Sequence, residues 1–105
     1  VTNFGKFNNY GYMGLYNGET ASSIAKRKNI AKNEDILDWM GSTELAANLF
    51  RITQTEDVIA NKNIKGEDNA CSTHYKVGKA VRNAIKEIGG TMPENLPTPK
   101  KVFQK

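Results

Sequence analysis

The chain has 105 residues, which is enough for one domain with a single hydrophobic core. Apolar residues make up 38% of it and the formal net charge is +4, which permits contact with nucleic acid or acidic proteins but requires neither. No apolar run is long enough to cross a bilayer and the single cysteine excludes an internal disulfide, so we expect a cytoplasmic protein without a membrane partner. Because the chain begins with Val rather than Met, we also expect it to be a piece of a longer protein.

The two ends of the chain have unusual compositions. Residues 1–18 combine aromatic rings with glycine and asparagine, which fits either a short helix end followed by an ordered loop or a small hairpin. Only Lys6 lies among these rings, so we expect them to plug the side of a helical core rather than to stack on bases. All three prolines fall within residues 91–105, which predicts an extended tail after a single helical domain at residues 1–90.

The pattern between these ends predicts an all-α fold. Four helices are expected, at residues roughly 19–28, 34–40, 43–61 and 68–88. The first ends in three basic residues, whose charges suit the C-terminal end of a helix dipole. The second begins at the capping residue Asn33 and closes at Gly41.

The third predicted helix has apolar residues on two sides, so we expect it to be wedged between neighbouring elements. Its main apolar side consists of Leu45, Leu49, Ile52 and Ile59. We predict that this side faces the core. Its remaining polar residues have the spacing i, i+4, i+7 and i+11 and form what we call the polar seam: Glu44, Asn48, Arg51 and Thr55.

The polar seam, which we expect to be exposed, has two interpretations. It is either a binding stripe anchored by Arg51, or a set of ties in which Asn48 and Arg51 hold neighbouring loops and helix ends. We favour the ties, because a helix flanked on two sides lies next to backbone groups that need partners. Arg51 is therefore expected to be largely structural.

The fourth predicted helix is amphipathic and ends at Gly89. One side carries what we call the basic row, which consists of Lys76, Lys79, Arg82 and Lys86. We expect the row to be exposed, and it is the candidate site for a protein partner or for the phosphates of nucleic acid. A solvated face is the more common explanation of such a row. No aromatic or amide side chain is expected among these bases in a position to read a base sequence.

The sequence gives little support for a metal site or for catalysis. Cys71 and His74 stand three residues apart on a helix, but a structural zinc site needs about four ligands and the chain has no other cysteine or histidine. No nucleophile with a base and an orienting acid is recognisable, and no phosphate-binding loop is present. We therefore expect no metal, no cofactor and no enzymatic activity.

Three stretches carry a resemblance to a known family. They are GYMGLYNG at residues 11–18, ILDWMGSTELAANLFRITQTE at 36–56, and THYKVGKAVR with IKEIGGTMPENLPTP at 73–99. Together they resemble the C-terminal region of the bacterial DNA-damage-inducible protein D (DinD) family. The residues that match its motifs are Asp38, Glu44, Asn48, Arg51, Gln54, Thr73, His74 and Arg82. No catalytic residue of the family maps onto any of them.

The resemblance implies a function that the residue patterns do not supply. It implies an interaction module of the SOS response to DNA damage that acts on filaments of the RecA recombinase or on their DNA. In the family, a Bro-N-like domain precedes this region. The DNA-binding function of that domain is therefore not carried over to this chain. The alternative hypothesis is a helical nucleic-acid-binding module that uses the basic row. The oligomeric state stays open.

Overall fold

The computed structural model describes residues 3–99. Its helices are α1 (Phe4–Leu15), α2 (Ala21–Lys28), α3 (Ser42–Asn61) and α4 (Glu67–Glu87), and single 3₁₀ turns occur at Ile36–Trp39 and Pro93–Asn95. This part of the chain contains no strand, which confirms the all-α class. None of the helices in residues 3–99 combines the length and the apolarity that crossing a membrane requires.

The aromatic N-terminal segment forms α1, although its conformation was open from the sequence. Asn3 begins this helix, because its side-chain oxygen accepts a hydrogen bond of 3.0 Å from the backbone N–H of Lys6. The segment predicted as a helix at residues 34–40 is shorter than expected and contains one 3₁₀ turn. Asp35 rather than Asn33 caps that turn, by accepting a 3.0 Å hydrogen bond from the backbone N–H of Leu37.

Helix α1 lies along α4, and glycines allow the two backbones to touch. A Cβ atom built on Gly14 would lie 2.3 Å from the carbonyl oxygen of Tyr75, and one built on Gly78 would lie 2.7 Å from the carbonyl oxygen of Gly11. Glycine inside a helix costs roughly 1 kcal/mol relative to alanine. Close packing of the helices offsets that cost and creates the main core, which consists of Tyr12, Leu15, Tyr16, Ile24, Met40 and Val81.

Helix α3 has the expected span but presents the opposite face to the core. All four residues of the polar seam are buried, with at most 1% of their surface exposed. On the other side, Leu49 is 46% and Phe50 is 54% exposed, and Ile52 is only half-buried. The predictions of an exposed polar seam and of a core-facing Leu49 are therefore wrong. The physical reason is that the seam finds polar partners on the neighbouring elements, as described below.

Helix α4 begins and ends within one residue of its predicted bounds. Gly89 follows it with a φ of +83°, the left-handed conformation in which glycine ends a helix without strain. The described part of the tail then packs back onto the helices: Pro93 is buried, and Thr98 accepts a 2.8 Å hydrogen bond from the ammonium group of Lys28. The tail thus contains one 3₁₀ turn where none was expected. Residues 100–105 of the predicted tail lie outside the described residues.

Candidate functional site

Arg51 is the centre of a buried polar network between α3, α1 and α4. Its Nη1 atom lies 2.6 Å from the Nε2 atom of His74, and its Nη2 atom donates a 2.9 Å hydrogen bond to the side-chain oxygen of Asn48. Its guanidinium also lies over the ring of Tyr12, 4.6 Å from the ring centroid. A side chain at Gly11 would collide with this arrangement, because a Cβ atom there would lie 2.4 Å from Nη1 of Arg51. Arg51 is therefore enclosed by the protein's own groups, which agrees with a structural role.

The hydrogen bonds of His74 fix its ring in one neutral tautomer. Its Nδ1 atom lies 2.9 Å from the backbone carbonyl oxygen of Phe7, which can only accept, so Nδ1 carries the proton and donates. Nε2 accepts from Arg51, which can only donate. Burial, together with the positive charge of Arg51, lowers the pKa of His74 to about 4. The ring thus has no nitrogen left for a metal or a proton transfer at neutral pH.

Glu44, at the start of α3, holds the other end of the network. Its carboxylate accepts hydrogen bonds from the hydroxyl of Tyr16 and, at 2.8 Å, from the ammonium group of Lys28. The side chains of Glu44 and Lys28 are completely buried, so this is an ion pair inside the protein. Asn48 donates a 3.0 Å hydrogen bond to the same Tyr16 oxygen. Burial raises the pKa of Tyr16, which keeps its hydroxyl protonated as the donor to Glu44.

These contacts decide the interpretation of the polar seam. Glu44, Asn48 and Arg51 tie α3 to α1, α2 and α4, as the structural interpretation predicts. Thr55 makes no such tie through its hydroxyl, which donates a 2.7 Å hydrogen bond to the carbonyl oxygen of Arg51 within the same helix. Because the seam is buried, it is not available to a partner in this structure.

The four residues of the basic row do not form one exposed surface. Lys76, Lys79 and Lys86 are exposed, and within residues 3–99 no ion pair involves them. Arg82, by contrast, donates two parallel hydrogen bonds of 2.8 Å to the carboxylate of Glu94 and a third, of 3.1 Å, to the carbonyl oxygen of Leu15. The expectation that Arg82 is free for a partner is therefore wrong, because this side chain joins α1, α4 and the tail.

The contact between Arg82 and Glu94 shifts the pKa values of both side chains. Hydrogen bonding to Glu94 raises the pKa of Arg82, and hydrogen bonding to Arg82 lowers the pKa of Glu94. Both groups thus remain charged at neutral pH. The pair fixes the tail beside α4 and forms one wall of the cavity described next.

A cleft of about 590 Å³, which we call the basic cleft, lies between the end of α1, the following loop, α4 and the tail. It is lined by Met13, Gly14, Asn17, Gly18, Tyr75, Lys79, Arg82, Asn83, Lys86 and Met92. The cleft includes Lys79 and Lys86 of the basic row but not Lys76, which lines two neighbouring depressions together with Ile64 and Thr73.

The basic cleft also contains groups that sequence reasoning missed. Tyr75 is 36% exposed, and the ammonium nitrogen of Lys79 lies 5.7 Å from the centroid of its ring. Asn83 lies between Lys79 and Lys86 along the helix and lines the same cleft. An aromatic and an amide side chain therefore do lie beside the lysines on this face, whereas the expectation that none of them reads a base sequence stays a prediction. The signal was present, because Tyr75 precedes Lys79 by four residues and hence shares its side of a helix.

The structure offers no obvious metal centre in the part of the chain that it describes. No three side chains of the His, Cys, Asp or Glu type are grouped there as a metal ion would require. Cys71 is a free, buried thiol whose pKa is raised by burial, so it is not poised as a thiolate ligand. The expectation of no metal stays a prediction.

Comparison with known proteins identifies the family to which this chain belongs. The model of the DinD C-terminal domain family matches residues 1–105, and the chain is 54% identical over 99 residues to DNA damage-inducible protein D of Escherichia coli (strain K12). That alignment covers 94% of the chain but 36% of the relative, so the chain spans little more than a third of that protein. No solved structure matches the chain. The resemblance carried by the three sequence stretches is thereby confirmed, and the chain belongs to the DinD C-terminal domain family.

Proposed function

We propose that this domain is a non-enzymatic interaction module of a DNA-damage-response protein, and that it acts on filaments of the RecA recombinase on DNA. Membership of the DinD C-terminal domain family supports the connection with DNA damage, because the relative in Escherichia coli is named for its induction by DNA damage. The second part follows from the implication of the family resemblance and from the position of the charged groups.

The single observation that carries the proposal is the division of polar groups between core and surface. The polar seam of α3 is occupied by internal contacts, whereas Lys79 and Lys86 project at the basic cleft with no carboxylate partner in residues 3–99. Unpaired lysines beside a cleft attract phosphates and acidic protein surfaces. A recombinase filament on DNA offers both.

The alternative function is a nucleic-acid-binding module that needs no recombinase. The same lysines support it, because contacts with phosphates supply most of the sequence-independent affinity for nucleic acid. Titration of DNA alone at two salt concentrations separates the two functions. Direct binding weakens steeply as salt rises, whereas a domain that recognises the recombinase is retained on filaments under salt conditions at which DNA alone does not bind it.

Sedimentation of filaments tests the proposal. RecA is assembled on long single-stranded DNA with a non-hydrolysable ATP analogue, and the bound domain is measured in the pellet. The wild-type chain should sediment with the filaments, and the double variant Lys79→Glu/Lys86→Glu should bind at least about fivefold less. The matched control is Lys62→Glu/Lys65→Glu, which changes the net charge equally at exposed positions away from the basic cleft.

Two outcomes contradict the proposal. The first is a wild-type chain that stays in the supernatant at all salt concentrations. The second is equal binding by the two double variants, which would mean that overall charge rather than the basic cleft governs the interaction.

A further inference from the structure

The arrangement of Tyr75 and the lysines in the basic cleft suits one kind of ligand better than others. Tyr75, Lys79 and Lys86 follow one another along a single face of α4, and all three line the cleft. The ammonium group of Lys79 therefore lies near an exposed aromatic ring, and the second positive charge, that of Lys86, lies further along the same cleft. Proteins that bind single-stranded nucleic acid combine the same elements, because lysines contact the phosphates while bases stack on aromatic side chains.

Other ligand classes use this arrangement less fully. The phosphate backbone of a duplex needs only the lysines, since its bases are already stacked on one another and offer no face to Tyr75. An acidic protein surface likewise leaves the ring without a specific role. A single strand, whose bases can turn outward, uses the ring and the charges together.

The walls of the basic cleft are fixed by contacts that do not depend on a ligand. Arg82 is held by Glu94 and by the carbonyl oxygen of Leu15, so its charge is already paired within the protein and its side chain forms part of the cleft wall. At the floor, Gly14 approaches the carbonyl of Tyr75 so closely that a Cβ atom would lie 2.3 Å from the oxygen. This contact holds the backbone of Tyr75 against α1. The cleft volume of about 590 Å³ lies within the usual range of ligand sites, roughly 300–1,000 Å³.

From this geometry we propose that the basic cleft binds single-stranded nucleic acid, with a base stacked on Tyr75 and neighbouring phosphates bound by Lys79 and Lys86. The inference rests on the proposed function in that it names the strand of the filament as the ligand of the same cleft. Lys76 takes no part, because it does not line the cleft and lies in the neighbouring depressions instead.

Fluorescence anisotropy with a labelled oligothymidylate tests the stacking and the charge separately. Tyr75→Leu should weaken binding about tenfold and leave the salt dependence unchanged, because a stacking contact releases no counterions. Lys79→Gln should make the negative slope of log K against log salt shallower by about 0.7, which is the value for one phosphate contact on a single strand. Tyr75→Phe, which keeps the ring, should bind within about twofold of wild type.

Matched controls exclude indirect effects. Lys76→Gln removes an exposed lysine from the same helix outside the cleft and should bind as the wild type does. An abasic strand of equal length keeps the phosphates but has no bases, so wild type and Tyr75→Leu should bind it equally weakly. Circular dichroism melting of each variant confirms that it is folded.

The inference is overturned if the wild-type chain does not bind the oligonucleotide, if Tyr75→Leu binds it as wild type does, or if the abasic strand binds as tightly as oligothymidylate. Its failure is distinct from failure of the proposed function. Oligonucleotide binding that depends on Tyr75, without any retention on recombinase filaments, supports the cleft and contradicts the filament proposal. Retention on filaments, together with an oligonucleotide affinity that is insensitive to Tyr75, does the reverse.

Discussion

The guanidinium of Arg51 and the imidazole of His74 meet inside the protein, with 2.6 Å between Nη1 and Nε2. Both side chains are 1% exposed, and no carboxylate within residues 3–99 forms an ion pair with Arg51. The positive charge is instead accommodated by a neutral imidazole, an amide oxygen and the ring of Tyr12. The fold therefore depends on His74 staying uncharged, since its protonation would place two cations together in the core.

The first prediction is a loss of stability in mildly acidic solution. The pKa of His74 is about 4 in the folded protein and lies near 6.5 when the chain is unfolded, so the unfolded state binds more protons between these values. The stabilising contribution is complete above about pH 6.5 and declines as the pH falls toward 4. Urea unfolding should give a free energy about 2 kcal/mol lower at pH 5 than at pH 7.

The variant His74→Gln serves as the control for this pH dependence. Because Gln does not titrate, its free energy of unfolding should change little between pH 7 and pH 5, whatever its absolute value. The interval above pH 5 avoids the titration of ordinary carboxyl groups. A wild-type chain that is equally stable at pH 7 and pH 5 would contradict the neutral, buried imidazole.

The second prediction concerns the face that α3 turns to the core. Arg51→Ala should lower the free energy of unfolding by about 2–4 kcal/mol, because it removes the hydrogen-bond partner of Nε2 of His74 and of the side-chain oxygen of Asn48, and opens a cavity. Leu49→Ala on the same helix should cost less than about 1 kcal/mol, because that side chain is half exposed. Chemical denaturation of both variants measures the difference. A larger loss for Leu49→Ala would restore the orientation expected from the apolar pattern.

The third prediction concerns the contact between α1 and α4. Gly78→Ala should lower stability by at least about 2 kcal/mol, because its Cβ atom would lie 2.7 Å from the carbonyl oxygen of Gly11 and the helices must separate. Gly5→Ala, in α1, should instead be neutral or stabilising by up to about 1 kcal/mol, since the nearest atom to its Cβ would be 3.6 Å away. Thermal melting compares the two. Equal effects would mean that the helices do not meet at these glycines.

The fourth prediction concerns Arg82, which joins the tail to the helices. Arg82→Ala should lower stability by about 1–2 kcal/mol through loss of its hydrogen bonds to Glu94 and to the carbonyl oxygen of Leu15. Lys86→Ala, four residues later on the same helix, should change stability by less than about 0.5 kcal/mol. Denaturation midpoints check this difference. If both variants have wild-type stability, Arg82 is a free member of the basic row after all.

The long helices were predictable because they follow simple rules. An uninterrupted amphipathic pattern, glycine termination and the absence of proline placed α3 and α4 within about one residue of their observed bounds. The orientation of α3 was not predictable from such a pattern, because periodicity counts apolar residues and cannot recognise that Arg51 has partners on two other helices, α1 and α4. A buried polar network is specified by tertiary contacts rather than by local sequence.

The conformation of residues 1–18, most of which form α1, stayed open at the sequence level for a related reason. Its glycines lower the local helix propensity, and their compensation comes only when α4 packs against them. The spacing of Gly11 and Gly14, together with the capping residue Asn3, was the available signal for a closely packed helix. In the candidate site, the exposure of Lys79 and Lys86 was predictable from charge, whereas the pairing of Arg82 with Glu94 required the tail to fold back.

Chemical footprinting of lysines on recombinase filaments tests the central claim most directly. The domain is acetylated with a water-soluble reagent, free and bound to RecA on single-stranded DNA, and the reactivity of each lysine is measured by mass spectrometry. Protection of Lys79 and Lys86 on the filament, with Lys62 and Lys65 equally reactive in both states, is the predicted result. Full reactivity of Lys79 and Lys86 in the bound state, or equal protection of all four lysines, would contradict the assignment of the basic cleft as the functional surface.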